Sequence, residues 1–169
     1  EIKSATKEDC ILDFEMNSPA YYAELEKALG SRVEKTAISG KIDDELVMKV
    51  SAYPINLSGL NATLRSYQEF GVKYALCQEK ALLGDEMGLG KTIQIITLLL
   101  DEKISVSRNT PSLIISPASL IYNWENEIKK FAPMLKSLII TGTKENRRKL
   151  LESYKEYDVL ITSYDLLKR

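Results

Sequence analysis

The sequence predicts an α/β fold, with a parallel sheet flanked by helices and a small segment preceding it. Three observations carry this expectation. From residue 61 onward, short apolar runs alternate with amphipathic stretches of about 10–15 residues, the rhythm of βαβ units. Those apolar runs are continuous rather than alternating, as expected of strands covered on both faces. One of them leads through a glycine-rich loop directly into an apolar helix pattern.

Residues 1–58 read differently from the rest and are taken as a connecting or accessory segment, with residues 59–169 forming the α/β lobe. Within the first segment, Ser18-Pro19 offers an N-cap and a first-turn proline. Tyr21, Tyr22, Leu25, Ala28 and Leu29 follow at helical spacing, and Gly30 is a natural stop. A second element, helix or strand, covers Ile42 to Val50. No chemical motif stands out in either.

In the lobe a helix is predicted from Leu64 to about Cys77, with Leu64, Tyr67, Gly71 and Tyr74 on one face. A strand follows at Ala81 to Leu83, then the glycine loop, then a helix from Lys91 to about Leu100. A strand at Leu113 to Ser116 passes through Pro117 into a helix ending near Phe131. Ser137 to Thr141 is the next strand, Lys144 to Tyr154 a charged helix, and Val159 to Thr162 the last strand. In open parallel sheets the loops after the strands share one edge, where ligands bind. Here those loops are residues 84–91, 116–120 and 162–165.

Composition excludes several classes of chemistry. There is no histidine, which removes His-ligated metals and His-based catalysis. Cys10 and Cys77 are far apart and fit neither a disulfide framework nor a zinc spacing. Basic and acidic residues number 23 and 24, for a net charge of -1, so contact with nucleic acid would be local rather than spread over the surface. The apolar run from Ile93 to Leu100 is interrupted by Gln94 and Thr97 and falls short of the ~20 residues needed to cross a bilayer. These features predict a cytoplasmic, nucleoid-associated protein in a bacterium, or a nuclear one in a eukaryote. The first residue is Glu1, and Lys168-Arg169 follow a strand-like run with no closing turn. Both suggest a piece of a longer polypeptide.

The sharpest motif is Asp85-Glu86-Met87-Gly88-Leu89-Gly90-Lys91-Thr92. Gly88 and Gly90 permit backbone angles that let several N–H groups turn inward. The helix that follows points unpaired N–H groups and a partial positive charge at the same place. Lys91 is suited to neutralise β- and γ-phosphates, and the Thr92 hydroxyl to hold Mg²⁺. The strict pattern has glycine five residues before Gly90, where this chain has Asp85. Hydrolysis needs, in addition, carboxylates at the end of another strand. Asp43-Asp44-Glu45, Asp85-Glu86 and Asp101-Glu102 follow no later apolar strand, and Asp158 begins a strand rather than ending one. The chain is therefore expected to bind ATP without hydrolysing it.

Read with Leu83-Gly84, the segment Asp85 to Thr92 resembles the first motif of the SWI/SNF-type ATPases, superfamily-two helicase-like DNA translocases, in which Asp at position 85 is usual. Leu64-Arg65-Ser66-Tyr67-Gln68 is similar to the family's upstream segment, with Ser66 where Pro is common; the resemblance implies that Gln68 reads adenine. Tyr74 stands where Trp is common. Ile115 to Leu120, followed by Asn123-Trp124 and Glu127, resembles the next motif, and Val159 to Leu167 a further one. The resemblance covers residues about 60–169. It implies a RecA-like P-loop lobe with an incomplete sheet, truncated before the Asp-Glu-x-His box. It also implies ATP and Mg²⁺ as cofactors, bound by Gln68 and residues 85–92, with Lys91 as the catalytic residue. Duplex DNA is the implied partner, its backbone contacted by Ser116, Pro117, Ala118, Ser119, Thr162 and Ser163.

Each of these residues also has a plainer reading. Ser119 is placed to cap the helix that follows it. Trp124, on a helix with Ile121, Ile128 and Phe131, reads as core. Lys144, Arg147, Arg148 and Lys149 read as a solvated face. Phe70 packs on the N-terminal segment or lies near adenine. A P-loop NTPase indifferent to DNA and a non-catalytic binding module are the alternatives to a translocase lobe. With strands absent, sheet edges would be uncovered, and either low-affinity nucleotide binding or self-association is expected.

Overall fold

The computed structural model describes residues 6–7, 9–11, 13, 43–78, 80–106 and 110–167, and the helix predicted from Ser18 lies outside them. Helix α1 spans Asp44–Ser51 and settles the ambiguity at Ile42 to Val50 in favour of helix. Its N-cap is Asp43, whose Oδ1 accepts from Glu45 N at 2.9 Å. Asp44 and Glu45 fill the first turn, where carboxylates favour the positive end of the helix. The acidic run at 43–45 is thus a helix start.

Helix α2 spans Ser66–Cys77, two residues shorter at its start than the periodicity suggests. Arg65 is the N-cap, and the Gln68 side chain accepts from Arg65 N at 2.9 Å, half of a capping box. Ser66 therefore occupies the first helical position, where proline is also favoured. Val50 of α1 is fully buried, and Lys73 of α2 donates to Ser51 O at 3.3 Å, so residues 43–51 pack against α2.

Helix α3 runs Lys91–Val106, a turn and a half beyond the expected end at Leu100. The sequence shows no stop signal at Leu100, and Asp101 is buried rather than terminating the helix. Its Oδ1 accepts from Asn56 N at 2.7 Å and from Ser105 Oγ at 3.0 Å, which fastens residues 53–57 to α3.

Strands β1 (Ser112–Ser116), β2 (Ser137–Ile139) and β3 (Val159–Ser163) form a parallel sheet in the order β1-β3-β2. Ser112 pairs with Val159 and Ser116 with Ser163, while Ser137 pairs with Val159 from the other side. All five residues of β3 are buried, as a central strand requires. Alternate residues face opposite layers. Val159 and Ile161 join Ile96, Leu100, Ile114 and Ile128 in the main core, beneath α3 and helix α4 (Ile121–Phe131). Leu160 joins Leu138 and Ile140 on the other face, against Leu150, Tyr154 and Tyr157 from helix α5 (Lys144–Glu152) and the turn that follows it.

Three expectations are corrected. Ala81 to Leu83 is not a strand: none of the three strands lies alongside to complete a hydrogen-bonded ladder, and Leu82 is 95% exposed. In β1, Leu113 and Ile115 are exposed, so that strand is covered on one face only. β2 ends at Ile139 instead of Thr141. Trp124 is half-buried against the main core, as the helical spacing suggested. The charged face of α5 is solvated, with Arg147 donating to Gly142 O at 2.8 Å.

Candidate functional site

The position of the glycine loop follows from the far end of α3. Lys103 Nζ lies 2.7 Å from Met134 O and 2.7 Å from Asp158 Oδ2. Asp158 immediately precedes β3, and its carboxylate also accepts from Lys136 N, just before β2, at 2.7 Å. The C-terminal end of α3 therefore sits at the strands' N-terminal ends, and α3 runs antiparallel to them across the main core. A 16-residue helix is about 24 Å long, against roughly 16 Å for a five-residue strand. The N-terminus of α3, with its loop, is thereby carried to the edge where β1 and β3 end.

Gly88 and Gly90 have φ of 83° and 78°, the left-handed region that side chains disfavour. A Cβ on Gly90 would lie 2.5 Å from Gln68 Nε2, whereas one on Gly88 would meet nothing within 4 Å. Gly88 thus faces open space and Gly90 faces α2. Two residues of α2 hold the loop from that side: Tyr67 Oη and Gln68 Nε2 each donate to Leu89 O at 3.0 Å. Gln68 is 6% exposed, and one of its two amide N–H groups is left beyond the Leu89 bond. Lys91 curls back into the loop, donating to Asp85 O and Glu86 O, both at 2.7 Å. Gln94, one turn further along α3, donates through Nε2 to Asp85 Oδ2 at 2.7 Å. Tyr67 and Gln94 are the site residues that sequence reading missed. Gln94 left a trace there, as a polar break in an apolar run. Tyr67 left its place on the inner face of α2 and its position beside Gln68 in the Leu64 to Gln68 segment.

Met87 is 95% exposed at the loop tip, beside the exposed Glu86, and Thr92 is half-buried in the first turn of α3. Next to the loop, a cleft of about 780 Å³ lies between α2 and α3, lined by Tyr67, Phe70, Gly71, Leu83, Gln94 and Leu98. Phe70 faces this cleft, its ring 6.4 Å from that of Tyr74.

The other predicted residues gather at the ends of β1 and β3. Ser116 and Ser163 are register partners, and both are buried. Thr162 is buried too, its Oγ1 donating to Ile140 O at 3.1 Å. Pro117, Ala118 and Ser119 are exposed. The expected cap by Ser119 is absent: a short 3-10 turn over Ala118–Leu120 intervenes, and the N-cap position of α4 falls on Leu120 with no side-chain bond. Ser116 Oγ instead contacts Pro117 O at 3.3 Å.

A loop with two left-handed glycines and an inward lysine, at the N-terminus of a helix and at the strand C-terminal edge, defines the P-loop class of α/β proteins. Residues 67–169 match the SNF2-related domain, and the chain belongs to that family. It is 40% identical over 139 residues to an ATP-dependent helicase of Mycoplasma genitalium, covering 80% of this chain and 13% of that protein. It is 42% identical over 116 residues to chromodomain-helicase-DNA-binding protein 1-like of Danio rerio, covering 64% of this chain and 11% of the relative. The fold matches the SWI2/SNF2 ATPase core of Sulfolobus solfataricus, solved in complex with dsDNA. There the TM-score is 0.57 and the identity 37%, over 68% of this chain and 24% of that one. The architecture is that of the RecA-like SNF2 ATPase core. The chain spans about an eighth of the length of the first of these relatives.

Proposed function

We propose that this chain is the ATP-binding part of a duplex-DNA translocase, holding Mg-ATP at residues 85–92. The observation that carries this reading is the Lys91 ammonium, held by two carbonyls inside the glycine loop. A triphosphate would replace those neutral acceptors with charged oxygens, which bind an ammonium more strongly. The open space at Gly88 and the α3 N-terminus fit the same anion. Thr92 offers its hydroxyl to Mg²⁺, which when bound neutralises part of the phosphate charge. Gln68 offers its remaining N–H to adenine.

The DNA backbone would be met along the same edge, by exposed Pro117, Ala118 and Ser119 and by main-chain N–H groups. Ser116, Thr162 and Ser163, being buried, would shape this edge from beneath. Such contacts position a duplex without reading its sequence. The chain by itself is proposed to bind without hydrolysing: Asp85, Asp101 and Asp158 are each engaged in structural bonds, to Gln94, to Asn56 and Ser105, and to Lys103. Hydrolysis is proposed for a larger polypeptide carrying this lobe.

The test is ATP hydrolysis by such a polypeptide without DNA, with single-stranded DNA and with duplex DNA, beside its Lys91→Ala variant. Strong duplex stimulation that Lys91→Ala abolishes is the expected result. Turnover retained in Lys91→Ala would overturn the site, and turnover indifferent to DNA would move the protein to another class of P-loop NTPase.

A further inference from the structure

We propose that Gln94 is a positioning residue for the glycine loop, fixing Asp85 so that the loop's backbone stays arranged around Lys91. The proposal rests on the phosphate-site reading above and deepens it. Generic phosphate loops carry glycine at the Asp85 position, so an added side chain there needs a place. The structure gives it one: Asp85 Oδ2 accepts from Gln94 Nε2 at 2.7 Å, a charge-assisted bond. Gln94 is 2% exposed, so little water competes for that bond.

The orientation of the amide is forced. Reversing it would set two acceptors, Oε1 and the carboxylate, against each other. In the observed orientation Gln94 Oε1 is buried with no hydrogen-bond partner and is pressed against Gly71. A Cβ at position 71 would collide with that oxygen, which gives a reason for glycine inside α2 despite its conformational cost. An orphaned buried oxygen is unfavourable, and the Asp85 bond made by the same amide offsets it.

Asp85 is consequently fastened to α3 at two points. Its carbonyl accepts from Lys91 and its carboxylate from Gln94, three residues apart on one helix face. With Leu89 O held by Tyr67 and Gln68, the loop is pinned at its start and near its end. Gln94 acts on nucleotide only through this scaffold.

The experiment is titration of the chain with a fluorescent ATP analogue and the matching AMP analogue, with folding of each variant checked by circular dichroism. Gln94→Glu opposes two carboxylates, and Gln94→Met keeps the volume without the bond. The double variant Gln94→Glu/Asp85→Asn reverses donor and acceptor while conserving charge. Each single Gln94 variant is expected to weaken the ATP analogue roughly tenfold or more, and the AMP analogue markedly less. The reversed pair is expected to recover affinity to within about threefold of the parent.

A contribution from packing alone would not be restored by reversing polarity. Wild-type affinity in Gln94→Met, or no recovery in the reversed pair, overturns the proposal. Lys91→Ala in parallel separates the two readings: if it leaves the ATP analogue bound as tightly as before, the phosphate-site reading itself fails.

Discussion

The Lys103 ammonium meets the Asp158 carboxylate at 2.7 Å, joining the last turn of α3 to the entry of β3. Both side chains are about three-quarters shielded or close to it, with 31% and 26% exposure. The pair does more than tie two elements together. It marks the direction in which α3 crosses the sheet, and with it the edge at which the glycine loop lies.

Replacing Asp158 should therefore destabilise the lobe. Asp158→Ala removes the Lys103 partner and the acceptor for Lys136 N. A loss of about 1–3 kcal/mol is expected, read from urea unfolding with an unchanged m-value. An unfolding midpoint equal to the parent's would show that this junction contributes nothing.

The two loop glycines should respond differently. Gly88→Ala meets only the backbone penalty of a left-handed residue, about 1 kcal/mol. Gly90→Ala adds a collision with Gln68 Nε2, which must then release Leu89 O. Gly90→Ala is expected to be the less stable of the pair and to bind nucleotide more weakly, by thermal melting and fluorescence titration. The opposite ranking would place the α2 contact outside the loop's structure.

The outer edge of β1 has no partner strand among the described residues, and beside it Leu113 and Ile115 are exposed. Bare apolar edges pair with other chains. Self-association that rises with concentration is expected by light scattering, and Ile115→Lys should reduce it. A chain that stays monomeric at high concentration would count against this.

Much of the fold was legible in the sequence. Alternating apolar runs and helical periods placed β1, β2, β3 and α2 to α5 within a few residues, apart from the end of α3, which lies at Val106 instead of Leu100, because burial imposes period and length locally. The Asp85 to Thr92 loop was legible for a related reason: φ above zero requires glycine, and a helix N-terminus requires the loop to end where Lys91 begins. Ala81 to Leu83 misled because strand formation is not local. Its apolar residues have the right character, but a strand exists only when a neighbour completes the ladder.

By itself the sequence determined the residues that could cradle a phosphate and the order of elements around them. Only the tertiary structure decided what those residues do to one another. Gln94 reads as a blemish in an apolar helix until packing brings Asp85 to its amide and Gly71 to its oxygen. Thr162 and Ser163 read as accessible hydroxyls until β3 takes the centre of the sheet and buries them. Ser119 reads as a cap until a 3-10 turn shifts the start of α4 by one residue. The physical reason is the same in each case: backbone conformation and period are local properties, whereas the partner of a buried polar group is chosen by elements distant in sequence.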